Sequence, residues 1–448
     1  MTDRLAELTE ALLGAARRAG AEAADALAVD SRALSIEVLG GALEHAERSE
    51  GVEIGLRVLM GRRQACVSAS DIRAGTMAEM AERAVAMARE APEDAGVGLA
   101  EESQLAETRD AQALELADPA PEPAPGDLQA DALAAEAAAL AVRGVAQVQG
   151  ASAGYWQQRI HLAASNGFSG GYGRSGRSVS CVAISGEGLG MERDHAFESR
   201  VFQADLPGAE GVGRLAGERA VALMGPGRPP TGAFPVLFDE RVASSLIGHL
   251  LAAINGQAIV RGASWLRDSM GERVLPAGLD LTEDPLRRRI SGSRPFDGEG
   301  LAAERRAFIR DGVLESWVLD LASARRLGLA PTGNGMRGTS APPSPGTGNI
   351  DLTQGAASRD DLIADMGTGL IVTSMIGSSI NPTTGDYSRG ASGFWVEGGE
   401  ITGPVNECTI AGNLREMLAS IRPANDARDH LSRRVPSLLV EGLTIAGA

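Results

Sequence analysis

The spacing of apolar residues at the start of the chain predicts a helix followed by an antiparallel meander. Four apolar residues recur at helical spacing and would share one face: Leu5, Leu8, Leu12 and Ala16. Short runs of alternating apolar and polar residues follow up to about residue 69, separated by Gly-rich turn signals. A second amphipathic helix is predicted over residues 74–89. The first section therefore combines helices with a meander.

A proline-rich segment, residues 116–127, separates this section from a second one of similar make-up. Proline fixes φ and lacks an N–H donor, so the segment is unsuited to a helix or a central strand. After it we predict an Ala-rich helix over 128–142, a pair of strands, a third alternating run and a helix over about 206–224. Residues 225–232 form another cluster of Gly and Pro, which predicts a linker.

The rest of the chain is rich in predicted strands. It contains one helix, RVASSLIGHLLAAINGQAI, a hairpin turning at Asp311-Gly312, a buried-type run, GLIVTSMIGSSI, and a second hairpin, GFWVEGGEITGPV. The predicted fold class is therefore α+β. N-terminal (1–115) and middle (128–224) domains would each hold a meander with a mixed or antiparallel sheet. The spacer 116–127 and the linker 225–232 would connect them to a β-rich C-terminal domain (233–448).

Composition narrows the possible functions. The 448 residues include 42 basic and 59 acidic ones, a net charge of −17, and every basic residue is Arg. Mechanisms that need a lysine, such as a Schiff base or a Walker-A phosphate loop, are excluded. An acidic chain also lacks the surplus of cations on which binding to nucleic acids or anionic membranes depends. We expect neither of these partners.

Candidate catalytic residues are few. The chain has five histidines, no two within ten residues of each other, and no H-E-x-x-H. His249 lies within a predicted helix, where a half-buried core histidine is the simpler interpretation. The three cysteines Cys66, Cys181 and Cys408 lie far apart and no secretory signal precedes them, so we expect a reducing cytoplasm.

Four strings in the C-terminal third resemble one known family. They are RPFDGEG (294–300), PTGNGMRG (331–338), NPTTGDYSRGASGFWVEGGEITGPV (381–405) and TIAGNLREML (409–418). They look like the TldD/PmbA family, historically labelled modulators of DNA gyrase, and most closely its PmbA (TldE) branch. The resemblance covers nearly the whole chain except the proline-rich spacer.

The resemblance implies a cytoplasmic heterodimeric metalloprotease that degrades small or unfolded peptides. In the TldD branch, a helix motif H-E-x-x-x-H and a cysteine near the C-terminus hold zinc. The corresponding helix here, SLIGHLLAAING, has neither the Glu after His249 nor a second His, and Cys408 precedes the TIAGNL block. We therefore expect a non-catalytic subunit without its own metal, with zinc in a TldD-like partner. A homodimer is possible when the chain is alone.

The loop residues Asp386, Tyr387 and Arg389 are our candidates for lining or bracing the peptide chamber. An Arg-Asp brace that only holds the loop is the simpler alternative. Two other functions stay open: a regulatory protein that acts on a topoisomerase or a toxin-antitoxin system through protein contacts, and a homodimeric hydrolase of unknown mechanism.

Overall fold

The first half of the protein forms a single six-stranded sheet. The computed structural model describes residues 2–447, without the side chains of residues 2, 3 and 378. The elements of the first half are α1 (Thr2–Arg18), β1 (Ala23–Leu39), β2 (Ala42–Met60), β3 (Arg63–Ala69), α2 (Ala74–Glu90), α3 (Pro125–Leu140), β4 (Val145–Ala164), β5 (Ser169–Ser185), β6 (Glu192–Arg200) and α4 (Ala209–Ala222). The strand order is β3-β2-β1-β4-β5-β6, antiparallel throughout.

The predicted N-terminal and middle domains contribute three strands each to this sheet. They join where β1 pairs with β4, from Asp25 opposite Ala164 to Val38 opposite Ala151. Each half has the order helix, three strands, helix, although the sequence shows no repeat. The proline-rich spacer ends earlier than predicted, because α3 already begins at Pro125. Proline is tolerated there since the first helical residue needs no N–H donor.

All four helices cover one face of the sheet. Along β1, Ala24, Ala26 and Ala28 pack against α1 and α2, while Leu34, Ile36 and Val38 belong to the core formed with α3 and α4. These even-numbered residues share a face because side chains alternate along a strand. The odd-numbered residues in the first part of β1, from Asp25 to Ser31, face the C-terminal domain.

The C-terminal domain is built on a mixed sheet that closes on itself. Its elements are β7 (Gly232–Phe238), α5 (Glu240–Ala253), α6 (Gly256–Val260), β8 (Leu281–Glu283), β9 (Arg306–Arg310), β10 (Val313–Leu314), α7 (Leu321–Leu327), β11 (Gly335–Met336), β12 (Ser344–Pro345), β13 (Ile350–Leu352), α8 (Arg359–Met366), β14 (Gly369–Ile380), β15 (Asp386–Glu397), β16 (Glu400–Asn413), α9 (Leu414–Ala419), β17 (Arg422–Pro423), β18 (Arg433–Arg434) and β19 (Leu438–Ala446). The order β16-β15-β14-β7-β19-β17 gains a β16–β19 pairing that completes a ring of five strands.

The α+β class with a β-rich C-terminal region is confirmed, and two local predictions were wrong. The helix predicted over RVASSLIGHLLAAINGQAI (241–259) is interrupted, because the side chain of Asn255 accepts a hydrogen bond from the Gln257 N–H and starts α6 separately. The run GLIVTSMIGSSI is buried only in its first part: Ile371 is fully buried, whereas Ile376 is 78% exposed. In the described part of the chain, no helix is both long and apolar enough to cross a membrane.

Candidate functional site

A large cleft lies between the helix-free face of the six-stranded sheet and loops of the C-terminal domain. Its volume is about 930 Å³. Residues of β1, β2, β4 and β5 form one wall, with Val29 and Ile160 among them. Parts of RPFDGEG and PTGNGMRG line the opposite wall. Two of the strings that carry the family resemblance therefore meet at one cleft.

A buried ion cluster joins the two walls. Arg57 on β2 donates to Asp25 on β1, with its Nε 2.6 Å from Oδ2, and Arg337 of PTGNGMRG donates to the other oxygen of the same carboxylate. The three side chains are at most 5% exposed. One carboxylate thus serves two guanidinium groups, and its removal would leave both buried and uncompensated.

A second buried cluster fixes the loops of the C-terminal wall to one another. Arg294 Nη2 lies 3.0 Å from Glu283 Oε1, and Asn334 Nδ2 donates to Glu283 Oε2 at 2.6 Å. The Gly348 N–H also donates to Glu283. Glu283, on the short strand β8, therefore ties together the three loops that shape this wall.

Two carboxyl groups of RPFDGEG are buried beneath the cleft. Asp297 accepts the N–H groups of Glu299, Leu301 and Gly335, and Glu299 accepts that of Leu321. Burial raises the pKa of both groups, and the charge of Asp297 raises the pKa of Glu299 further. The backbone bonds to both carboxyl groups indicate a loop-fixing role.

One edge of the cleft is an unpaired strand. β3 pairs with β2 only over Ile54–Met60, and within the described residues nothing pairs with the outer edge of β2 over 42–53. Residues 42–51 are all exposed, and Ser49 to Glu53 line the cleft. The backbone N–H and C=O groups on this edge are free to bind an extended chain.

The structure brings His249 and two of the three predicted loop residues together. The ring of His249 on α5 packs edge to face against Tyr387 on β15, with ring centres 5.9 Å apart. The Tyr387 hydroxyl donates to Met375 Sδ at 3.3 Å, and Arg389 Nε donates to the Gly377 carbonyl at 2.8 Å. Burial raises the pKa of Tyr387 to about 12.

Asp386 lies apart from this group. Its carboxylate accepts hydrogen bonds from Thr384 Oγ1 at 2.6 Å and from Asn413 Nδ2 at 3.3 Å, and it is exposed at the start of β15. Asp386 and Arg389 each brace a different part of the loop, so the Arg-Asp brace considered from the sequence is not formed.

Comparison with known proteins identifies the family. The chain matches three domains of the PmbA/TldA metallopeptidases: domain 1 over residues 24–88, the central domain over 118–224 and the C-terminal domain over 231–447. The metalloprotease PmbA of Escherichia coli is 34% identical over 415 residues, which cover 92% of this chain and 90% of that protein. The chain belongs to the PmbA/TldD metallopeptidase family.

A second relative and two solved structures resemble the chain in sequence or fold. A metalloprotease PmbA homolog of Haemophilus influenzae is 34% identical over 442 residues, or 96% of this chain and 94% of its own length. A Bacteroides thetaiotaomicron protein described as a modulator of DNA gyrase has a TM-score of 0.90 at 28% identity, covering 99% of this chain and 98% of its own. TldE from Thermococcus kodakarensis has the same fold, with a TM-score of 0.84 at 21% identity, covering 98% of this chain and 100% of its own.

The surroundings of His249 do not fit the zinc that a metallopeptidase family implies. Its Nε2 is buried and has no hydrogen-bond partner among the described residues, and no group of three metal-ligand side chains among them includes it. Burial lowers the pKa of His249. The positive charge of Arg389 lowers that pKa further, and the same charge opposes a metal cation at this position. Cys408 donates to the Ala391 carbonyl. The described residues contain no group of three His, Cys, Asp or Glu side chains placed to hold a metal.

The cleft residues Asp25, Arg57 and Arg337 were not predicted as site residues from the sequence. Asp25 and Arg337 are more than three hundred positions apart, and no spacing rule joins them. The only signal was indirect: Arg337, Asp297 and Glu299 belong to strings that carry the family resemblance.

Proposed function

We propose that this chain is the non-catalytic subunit of a two-subunit metallopeptidase, in which it holds an extended peptide against zinc bound by a TldD-like partner. The observation that carries the proposal is the 930 Å³ cleft with the open edge of β2 along it; His249, Tyr387 and Arg389 do not line this cleft. The family supplies the metallopeptidase context. The poor fit of the His249 surroundings to zinc supports a non-catalytic role for the chain.

The shape of the cleft supports an extended peptide as its ligand. The free edge of β2 offers main-chain donors and acceptors, which an extended peptide can pair with whatever its side chains are. Apolar Val29 and Ile160 lie beside polar Ser31 and Gln158 on the same wall. Such a mixed surface suits peptides of varied sequence.

Tyr387 and Arg389 have a positioning role in this proposal. Arg389 holds the Gly377 turn of β14, and Tyr387 packs on His249 where the zinc motif stands in the TldD branch. Asp386 braces the turn before β15. Three free cysteines, two of them buried, accord with our inference of a reducing cytoplasm.

The first test is reconstitution. This chain, a family member that carries H-E-x-x-x-H, and their mixture are purified, and bound zinc, co-elution and cleavage of an unstructured peptide are measured. We expect zinc in the partner only, and cleavage that needs both chains and stops with a chelator. Zinc and chelator-sensitive cleavage by this chain alone would refute the proposal. Co-elution without peptide cleavage would favour the regulatory binding protein instead.

The second test addresses the loop and the edge of β2. Arg389→Ala should lower cleavage by the reconstituted complex, while Arg267→Ala, an exposed arginine paired with neighbouring Asp268, should not. A competitor peptide with alternate N-methylated residues should bind at least about tenfold more weakly than its unmethylated form, because methylation removes main-chain donors. Equal competition by both peptides would exclude the strand edge as the binding surface.

A further inference from the structure

A second pocket lies on the helix-covered face of the six-stranded sheet, over strands β4 and β5. Its volume is about 290 Å³, near the lower end for small-molecule sites. The proline-rich segment forms one side through Asp118, Pro121 and Pro123, and the first turns of α3 form another. Tyr155 on β4 and Arg177 on β5, directly opposite each other in the sheet, form the floor. The peptidase proposal uses none of these residues.

Arg177 is the first unusual feature of this pocket. It is only 5% exposed and it lines the pocket. Its Nη2 donates to Asp131 Oδ2 at 2.8 Å, whereas Nε and Nη1 have no hydrogen-bond partner among the described residues. Buried guanidinium donors without acceptors are costly, so a ligand oxygen placed here would gain charge-assisted hydrogen bonds.

The carboxylates opposite are the second feature. Asp127 and Asp131 stand one turn apart on the same side of α3, an arrangement of like charges that destabilises a helix. Asp127 Oδ2 accepts the Ala124 N–H and Asp131 Oδ2 accepts Arg177, but Oδ1 of each has no partner among the described residues. Both oxygens of Asp118 already accept backbone N–H groups, from Ala120 and Gln203.

The charges of the pocket select the class of ligand. Three carboxylates, Asp118, Asp127 and Asp131, face one guanidinium group. A simple anion would meet this excess of negative charge, and a simple cation would leave the donors of Arg177 unpaired. A small molecule with both charges satisfies the two sides together.

We propose that this pocket binds a zwitterionic amino acid or dipeptide, with its carboxylate on Nε and Nη1 of Arg177 and its ammonium group between Asp127 and Asp131. The ring of Tyr155 lies beneath the ligand. Pro121 and Pro123 keep the outer wall in an extended conformation, so that the pocket needs little ordering when the ligand binds. The site does not depend on a partner subunit.

The test is calorimetric titration of the full chain with L-alanyl-L-alanine and with its blocked forms. N-acetyl-L-alanyl-L-alanine keeps only the carboxylate, and L-alanyl-L-alanine amide keeps only the ammonium group. We expect saturable binding of the free dipeptide with a Kd of about 1 mM or tighter, and binding at least about tenfold weaker for each blocked form. No saturable binding, or equal binding of a blocked form, would overturn the proposal.

Variants locate the binding within this pocket. Asp127→Asn should weaken binding of the dipeptide at least about tenfold. The matched control is Asp110→Asn, because Asp110 is also exposed and caps a backbone N–H, that of Gln112, away from the pocket. Arg177→Gln tests the carboxylate side, and since Asp127 is exposed, its variant remains informative if Arg177→Gln fails to fold. Equal affinities of the Asp127 and Asp110 variants would place the dipeptide elsewhere.

Discussion

The two halves of the six-stranded sheet share one order of elements but differ at equivalent edges. In each half the third strand pairs with only the later part of the second: β3 with β2 from Ile54, and β6 with β5 from Arg177. The earlier part of β5 is covered, because the Ser175 N–H donates to the Leu116 carbonyl and Tyr172 packs on Phe296 of the C-terminal domain. The earlier part of β2 has no such cover.

The difference shows how one architecture provides both a docking surface and an open edge. The C-terminal domain contacts the sheet through Asp25 at one end of β1, through the aromatic cluster around Phe296, and through Thr339, whose hydroxyl donates to Glu53 on β2. Residues 42–51 of β2 lie outside these contacts and are exposed beside the cleft. The open edge is therefore a consequence of where the C-terminal domain docks, not of a difference between the two meanders.

The largest expected effect comes from the buried cluster between sheet and C-terminal domain. Asp25→Ala should lower the free energy of unfolding by about 3–5 kcal/mol, because Arg57 and Arg337 would be left buried without their carboxylate. Urea denaturation measures it. Asp94→Asn, which alters the partly exposed pair with Arg326, should cost about 1 kcal/mol or less. Similar losses for the two variants would contradict a special role for the cluster.

The covered edge of β5 should be nearly as sensitive. Phe296→Ala removes the ring that packs edge to face on Phe168 and Tyr172, and it should cost about 3 kcal/mol. Limited proteolysis should then cut first in residues 105–118, which lie against this edge. An unchanged urea midpoint would mean that the aromatic cluster does not hold the edge.

The buried carboxyl group of Glu299 should make stability depend on pH. Its pKa is raised in the folded state, so the folded protein binds this proton more tightly than the unfolded chain. The contribution is complete below the ordinary glutamate pKa and is lost as the pH rises toward about 8. Glu299→Gln should flatten the decline in unfolding free energy between pH 5 and 8 relative to exposed Glu102→Gln. Identical pH profiles would contradict the assignment.

The smallest effect is expected at the open edge itself. Leu43→Lys, at a residue 49% exposed, should change the unfolding free energy by less than about 0.5 kcal/mol. Tyr172→Lys on the covered edge should cost about 1 kcal/mol, because it removes the contact with Phe296. If both lysines cost the same in urea titrations, the two edges do not differ in solution.

Local patterns predicted much of this fold. The helix expected over 74–89 spans Ala74–Glu90, and the hairpin expected at Asp311-Gly312 turns between β9 and β10. In both cases a few neighbouring residues determine the outcome, through helical spacing or the positive φ of Asp311 and Gly312. The α+β class followed from such segments.

The cleft could not be predicted in the same way, because long-range pairing creates it. Nothing local indicates that β1 pairs with β4 across the proline-rich segment, or that Arg337 reaches Asp25. The contact of His249 with Tyr387 and its proximity to Arg389 were not predicted, although all three residues had been named separately from the sequence. The hydrogen bonds of Asp386 also differ from those expected, because its side chain and that of Arg389 find different nearby partners.

The pairing of β1 with β4 also determines when the sheet can be completed during synthesis on the ribosome. At roughly 5–20 residues per second, the chain needs on the order of ten seconds or more to proceed from Asp25 to Ala164. During that interval β1 pairs with β2 along one edge, while the backbone N–H and C=O groups along its other edge have no strand partner. The nascent chain thus carries two open strand edges, and only one of them is closed when synthesis of β4 is complete. Chaperones that shield extended segments would have their main opportunity in this window.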